Sequence, residues 1–387
     1  MSGKKNKLGT ILTHSGVKPA DFHGAVNPPP HRVSTYLIKN YAEFEKVPNL
    51  PYYYGRVATP NSTAFASAMA ELDGAAGSII TCSGLAAINI IYLTVTTPGD
   101  HVLVPDTVYG PQRWICDNIL KRFKVTAEYY DPMIGGNIKK LFRKNTRMVF
   151  LESPGSLTYE VQDIDAIVGA ARKARLITAM DNSWATPVFF RPLDHGIDMS
   201  IMSGTKYIAG HSDAMLGIVS ATKEFYPRLK ETLLHTGHCV GSEELYLGLR
   251  GLRTLEVRMK EHERRALELA KWLEARPEVK RVNHPALPKS AGHQNWKKYY
   301  SGSSGTFSIV LHETNKKKFG KMLDSLKVFK MGFSWGGYES LAFPEQPNPI
   351  RTAVKWEEKG LLLRLHVGFE NLDDLKADIE QALKHLK

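Results

Sequence analysis

A mostly parallel β-sheet covered by helices on both faces, followed by a smaller α+β lobe, is the fold that this 387-residue sequence predicts. Three observations carry the prediction. Short apolar runs recur between Ser78 and Ser220, with amphipathic stretches such as Gln112–Arg122 and Asp163–Ala174 between several of them. Alternation of this kind belongs to sheets buried on both faces, whose strands read as near-continuous hydrophobic segments. The pattern then changes after one long helical stretch, and the composition, 43% hydrophobic and 23% charged, is that of a globular chain with a real core. At roughly 100–200 residues per domain, the length suits two or three lobes.

The first fifty residues lack sustained periodicity. They hold Pro28-Pro29-Pro30 and Pro48, with Pro51 just beyond, and these prolines favour extended backbone, so this segment reads as an arm lying across something else. The strand candidates that follow are Ser78–Thr81, His101–Pro105, Met148–Leu151, Leu176–Met180, Met199–Met202 and Gly217–Ser220. One long helix is expected over Ser242–Ala275. Beyond it come strands at Gly305–Leu311 and Leu361–Val367 and helices at Lys316–Ser325 and Asp373–Leu386. The Ser301–Gly305 patch is a loop.

Charge and motifs exclude several classes. Lys plus Arg total 51 against 39 acidic residues, a net +12 that permits nucleic acid, an anionic membrane or acidic small molecules as partners. The basic residues are dispersed, and the runs at Lys4-Lys5 and Lys316-Lys317-Lys318 carry no interleaved aromatics, so a solvated surface is expected and not a nucleic-acid footprint. Three widely spaced cysteines, Cys82, Cys116 and Cys239, argue for a reducing cytoplasm. The longest apolar stretch, Leu85–Val95, is too short to span a bilayer. No P-loop and no G-x-G-x-x-G occurs, and His235, His238 and Cys239 have no second pair at metal-ligand spacing, so no metal is expected.

Four strand ends carry chemistry. The strand at Met199–Met202 runs into Ser203-Gly204-Thr205-Lys206; burial there lowers an ammonium pKa and makes the amine nucleophilic, while the two hydroxyls suit a phosphate. One strand earlier, Leu176–Met180 ends in Asp181, 25 residues before Lys206. A lysine and a carboxylate so placed suit pyridoxal 5′-phosphate (PLP): the lysine anchors it and the carboxylate keeps its pyridine nitrogen protonated. Ser78–Thr81 opens through Ser83 into Gly84 and Leu85, a helix start able to bind phosphate. His101–Pro105 leads to Tyr109, an aromatic ring at the same sheet edge that can stack on a planar cofactor. Each segment alone also reads as an ordinary polar turn or helix cap; four in order along one edge do not.

Together these residues resemble the Cys/Met metabolism family of PLP-dependent enzymes. The likeness runs from Tyr54-Gly55-Arg56 to Arg364–Gly368, and Ser334–Leu341, Phe150–Gly155, Gly210–Ala214 and Asn283–Pro288 resemble its β-eliminating branch. Trp335 is the discriminating residue against γ-eliminating relatives. The resemblance implies the aspartate-aminotransferase type I fold, with a seven-stranded type of sheet. It also implies an arm (1–56) on a neighbouring subunit, a PLP-binding domain (57–250) and a C-terminal α+β domain (251–387).

The resemblance further implies that Lys206 holds PLP and moves the Cα proton, Asp181 pairs with the pyridinium, and Tyr109 stacks on the ring. Gly84, Leu85, Ser203 and Thr205 would cradle the phosphate, which Tyr54 and Arg56 of a second subunit complete with a bidentate guanidinium. Arg364 would clamp the substrate α-carboxylate beside Ser334 and Trp335, and Tyr54 or Tyr109 would assist proton transfer. The implied reaction is β-elimination from L-cystathionine, with side activity on cysteine or cystine, in a cytoplasmic homotetramer built of dimers. Cystathionine or methionine γ-cleavage is the alternative within the family, and a basic nucleic-acid-binding protein the alternative outside it.

Overall fold

A computed structural model describes residues 6–347 and 350–387; the Lys4-Lys5 pair lies outside them. Seven strands form the larger sheet: β1 (Gly77–Thr81), β2 (His101–Pro105), β3 (Thr126–Tyr130), β4 (Thr146–Glu152), β5 (Ile177–Asp181), β6 (Met199–Ser203) and β7 (Gly217–Ala221). Their order is β1-β7-β6-β5-β4-β2-β3, and only β7 runs against its neighbours. The expected mostly parallel seven-stranded sheet is therefore present, and all six predicted strands fall within a residue or two of their observed bounds. Strand alternation sends Met148 and Phe150 into one core and Val149 and Leu151 into the other, so each face is covered by its own apolar layer. β3 escaped the sequence reading because it is an edge strand, Thr-Ala-Glu-Tyr-Tyr, with only its last residue buried.

The second sheet contains β8 (Val279–Asn283), β9 (Thr306–Leu311), β10 (Lys330–Met331), β11 (Leu341–Pro344) and β12 (Leu362–His366), in the order β10-β11-β12-β9-β8. Helices Lys316–Asp324 and Leu372–Leu383 pack on it through Phe319, Met322, Leu375 and Ile379. The short strands β8, β10 and β11 were not expected from sequence. In β8 the two residues Lys280 and Arg281 are charged and exposed, and β10 is two residues long.

Three expectations need correction. The single helix over Ser242–Ala275 is two helices, Ser242–Leu252 and Leu255–Glu274. The break has a side-chain cause: Arg258 donates to the Gly251 carbonyl at 2.7 Å and to those of Tyr207 and Ile208 at 2.6 and 3.2 Å, while Arg253 turns away to the Leu12 carbonyl at 2.6 Å. The predicted helix Gln112–Arg122 is a short α-helix, Gly110–Trp114, followed by a π-helical turn and a 3₁₀ turn. Within that stretch Arg113 stacks on the Tyr129 ring at 3.5 Å and the Cys116 thiol meets the Tyr92 hydroxyl at 3.6 Å. The arm is less free than its prolines suggest, because helix Leu8–His14 buries Leu12 against the chain's own core. From Pro28 to Lys39 the chain is without helix, and Val26 and Leu37, with Tyr41 at the start of the short helix Tyr41–Phe44, are exposed.

Arg258 is 7% exposed, so its three carbonyl bonds join the long helix to the backbone of the loop that follows β6. Replacing it by leucine, which removes the guanidinium donor from all three carbonyls and leaves Gly251 only its weaker helix-end bonds, is expected to cost about 3 kcal/mol. Denaturant unfolding of Arg258→Leu checks this; a midpoint equal to the parent's contradicts it.

Candidate active site

A parallel sheet brings the carboxyl ends of its strands to one edge, where ligands bind. Five strand ends meet there in one cavity of about 470 Å³. All the residues expected from sequence line it except Tyr54 and Arg56: Gly84 and Leu85 after β1, Tyr109 after β2, Asp181 closing β5, and Ser203, Thr205 and Lys206 after β6. The C-terminal lobe supplies the far wall through Ser334, Trp335 and Arg364.

Lys206 sits at the centre. Its Nζ donates to the Ser334 hydroxyl at 2.8 Å and stands 5.3 Å from the Trp335 ring centroid. Burial, aided by the Arg364 charge and opposed by Asp181, lowers its pKa from 10.5 to about 8. The amine is thus ready to act as a nucleophile and base close to neutral pH. Asp181 accepts the Ser183 amide at 2.8 Å, and burial raises its pKa. A carboxylate held dry in this way gains most from a cationic partner, which a protonated pyridine provides.

The phosphate end is built from backbone. Ser83 caps helix Gly84–Val95, its hydroxyl accepting the Ala86 amide at 3.1 Å, and the Ala87 amide returns to the Ser83 carbonyl. The Gly84 and Leu85 amides precede the first intrahelical bond, and both residues line the cavity. Gly84 permits the close approach: a Cβ there would stand 2.7 Å from Ser203 Cβ. Among the described residues the Ser203 hydroxyl makes no hydrogen bond, so its proton is available for a phosphate oxygen. The Thr205 hydroxyl is engaged at home, donating to the Leu216 carbonyl at 3.2 Å and accepting the Leu216 amide at 2.9 Å. It can reach a phosphate only by giving up the longer of those bonds. Tyr109 is 45% exposed, leaving a ring face open to the cavity. These groups fit PLP: an anchoring amine, a carboxylate for the ring nitrogen, an open aromatic face and a cradle that a Cβ would fill.

Arg364, on β12, lies over the Phe343 ring at 4.7 Å and donates to the Phe333 carbonyl at 2.7 Å. The Ser334–Gly337 segment is held against β12 by His366, whose Nε2 lies 3.1 Å from the Gly336 amide. Gly336 adopts φ +90°, and a Cβ on it would meet the Lys206 carbonyl carbon at 2.8 Å. This explains the glycine that follows Trp335: it lets the segment lie flat on the lysine's own backbone.

The structure places Tyr54 and Arg56 elsewhere. Tyr54 is 43% exposed, and Arg56 donates to the Leu234 carbonyl at 2.8 Å with its guanidinium 5.7 Å from the Tyr54 ring. Neither lines this chain's cavity. Sequence reasoning also missed Glu152. It ends β4 in register with Asp181 on β5, accepts the Tyr109 amide at 2.8 Å, and burial together with Asp181 holds its pKa well above the usual carboxylate range. Its signal was present, an acid closing the Phe150-Leu151-Glu152 strand at the same edge. Trp184, fixed by a bond from Nε1 to the Thr306 carbonyl at 2.9 Å, lines the cavity too. Among the described residues no helix is long and apolar enough to cross a membrane.

The comparisons agree with this geometry. Residues 9–384 match the model of the Cys/Met metabolism PLP-dependent enzymes. The chain is 42% identical to cystathionine beta-lyase MetC of Escherichia coli K12, over 97% of each protein. It is 37% identical to an L-alanine/L-glutamate racemase of Wolbachia pipientis wMel, over 97% of each. Among solved structures it is similar to cystathionine gamma synthase from Xanthomonas oryzae pv. oryzae, with a TM-score of 0.90 and 29% identity over 99% of each chain.

A pKa of about 8 for Lys206 has a testable sign. Below that value the amine is charged and unreactive; above it the amine is neutral. The rate at which PLP attaches to cofactor-free protein should therefore rise with pH and level off just above pH 8, whereas an ordinary lysine would keep accelerating toward 10.5. Absorbance-monitored reconstitution across pH 6.5–10 checks it, and a profile still climbing at pH 10 contradicts the shift.

Proposed function

The chain belongs to the family of Cys/Met metabolism PLP-dependent enzymes, and from that premise we propose that it cleaves L-cystathionine by β-elimination, releasing homocysteine, pyruvate and ammonia. It is a PLP-dependent carbon–sulfur lyase. The observation that carries the reading is the Lys206 amine, held by Ser334 beside Trp335 and set between Asp181 and Arg364. PLP, when bound, supplies the electron sink that makes the substrate's Cα–H acidic.

The protein's own groups account for the remaining steps. Arg364, half-buried at the cavity wall, binds the substrate α-carboxylate with a planar fork and so fixes which Cα bond stands ready to break. Lys206, neutral at a pH just above 8, takes the Cα proton, and the Ser334 hydroxyl keeps Nζ aimed. Burial raises the Tyr109 pKa, so that hydroxyl keeps its proton and can give it to the departing thiolate. Tyr54 of a second copy is the other candidate for that transfer.

We place this reaction in methionine synthesis in the cytoplasm, with side activity on cysteine or cystine. We divide the chain into an arm (1–56), a PLP-binding domain (57–250) and a C-terminal domain (251–387). The assembly we propose is a homotetramer built of dimers with shared sites. Two observations support sharing: Arg56 and Tyr54 are solvent-facing and outside their own cavity, and the chain before them exposes Val26, Leu37 and Tyr41.

Product analysis on L-cystathionine tests the activity. Pyruvate with homocysteine is expected from the parent protein and none from Lys206→Ala. 2-Oxobutyrate with cysteine would reassign it to γ-cleavage, and accumulation of a D-amino acid without keto acid would place it with the racemase relative. For shared sites, Arg56→Ala and Lys206→Ala subunits, each inactive alone, should recover up to about a quarter of parental activity when mixed, the share expected if one dimer site in four combinations pairs both intact groups. Confirmed mixed dimers without recovery would refute sharing.

A further inference from the structure

We propose that Glu345 is the specificity determinant for the ammonium group at the distal end of the substrate. The inference rests on the L-cystathionine reading above. L-Cystathionine carries an amino-acid group at each end. The near carboxylate goes to Arg364 and the near nitrogen to the cofactor, so a distal ammonium and a distal carboxylate remain to be recognised.

Sheet geometry puts Glu345 where that ammonium can reach it. On β11 Phe343 pairs with Arg364 of β12, and the guanidinium lies over the Phe343 ring. Glu345 follows two residues later, its amide still donating to the Leu362 carbonyl at 3.3 Å. Side chains two apart on extended backbone share a face, so Glu345 is the diagonal neighbour of Arg364 on the face that carries the clamp. Its charge is felt by Arg364 and by Tyr109. Among the described residues, however, its carboxylate makes no hydrogen bond and no ion pair. It borders a chamber of about 50 Å³ that shares Tyr109, Ser156, Leu157 and Arg364 with the main cavity. That is room for one compact cationic group.

The chamber's outer wall is anchored. Asp106, 2% exposed, accepts the amides of Thr352, Ala353 and Val354 at 2.8–2.9 Å and the Arg113 guanidinium at 2.9 Å. Arg351 pairs with Glu160 at 2.8 Å. Asp106 also precedes Tyr109 on the same loop, so one buried carboxylate ties the wall beyond Glu345 to the ring that faces it. A half-buried acid left unpaired beside a clamp held this firmly gains from a substrate cation, and a site that gains in this way rejects the analogue lacking that cation.

The test compares L-cystathionine with S-(3-carboxypropyl)-L-cysteine, which differs only by lacking the distal amino group, and reads pyruvate from both. The parent enzyme should prefer L-cystathionine by about tenfold in kcat/KM, chiefly through KM. In Glu345→Gln the preference should collapse to within about twofold, through loss on L-cystathionine alone, with S-ethyl-L-cysteine unaffected. An unchanged preference, or equal change on all three substrates, overturns the proposal; equal change would mean that Glu345 acts only by balancing the Arg364 charge. Absence of pyruvate from every substrate in the parent protein would instead overturn the β-elimination reading, and this inference with it.

Discussion

Removal of water from around Lys206 is the constraint on which the rest of the site depends. An exposed lysine is an ammonium at neutral pH and can neither attack a carbonyl nor accept a proton. Burial at the end of β6 brings its pKa to about 8, and Arg364 adds to the shift while Asp181 limits it. The opposing charges keep the amine titratable near working pH. A lysine buried without a carboxylate nearby would be pushed lower still and be a weaker base.

That environment requires walls from both lobes. The large sheet supplies the floor through parallel strand ends, and the smaller lobe closes over it with Ser334, Trp335 and Arg364. Two supports set behind the cavity hold the halves in place. Arg258 gathers the carbonyls that follow the lysine, and His366 holds the Gly336 amide so that the segment rests on the lysine's backbone. Both are buried polar groups, justified by the bonds they make.

The carboxylates divide according to what faces them. Asp181 is placed for a cationic ring, Glu152 is forced toward its neutral form by burial and by Asp181, and Asp106 is satisfied by three amides and a guanidinium. Glu345 has a guanidinium nearby but no bond to it. The same functional group thus stands in four different settings, and it is the surroundings of each that set them apart.

Much of the fold and the centre of the site could be read from the chain itself. Buried parallel strands are continuous apolar runs, and chemistry at such a sheet gathers where those runs end, so Gly84, Tyr109, Asp181, Ser203 and Lys206 were legible as strand-end residues. Edge strands such as β3 and β8 were not, because a strand with one solvated side loses the apolar signature. The helix break at Arg253–Thr254 was hidden because its cause is a side chain reaching carbonyls distant in sequence. The acid pair Glu152–Asp181 and the diagonal of Glu345 with Arg364 were decided only by tertiary structure. Each depends on register between strands that the chain separates by tens of residues or more, and local composition carries no record of register.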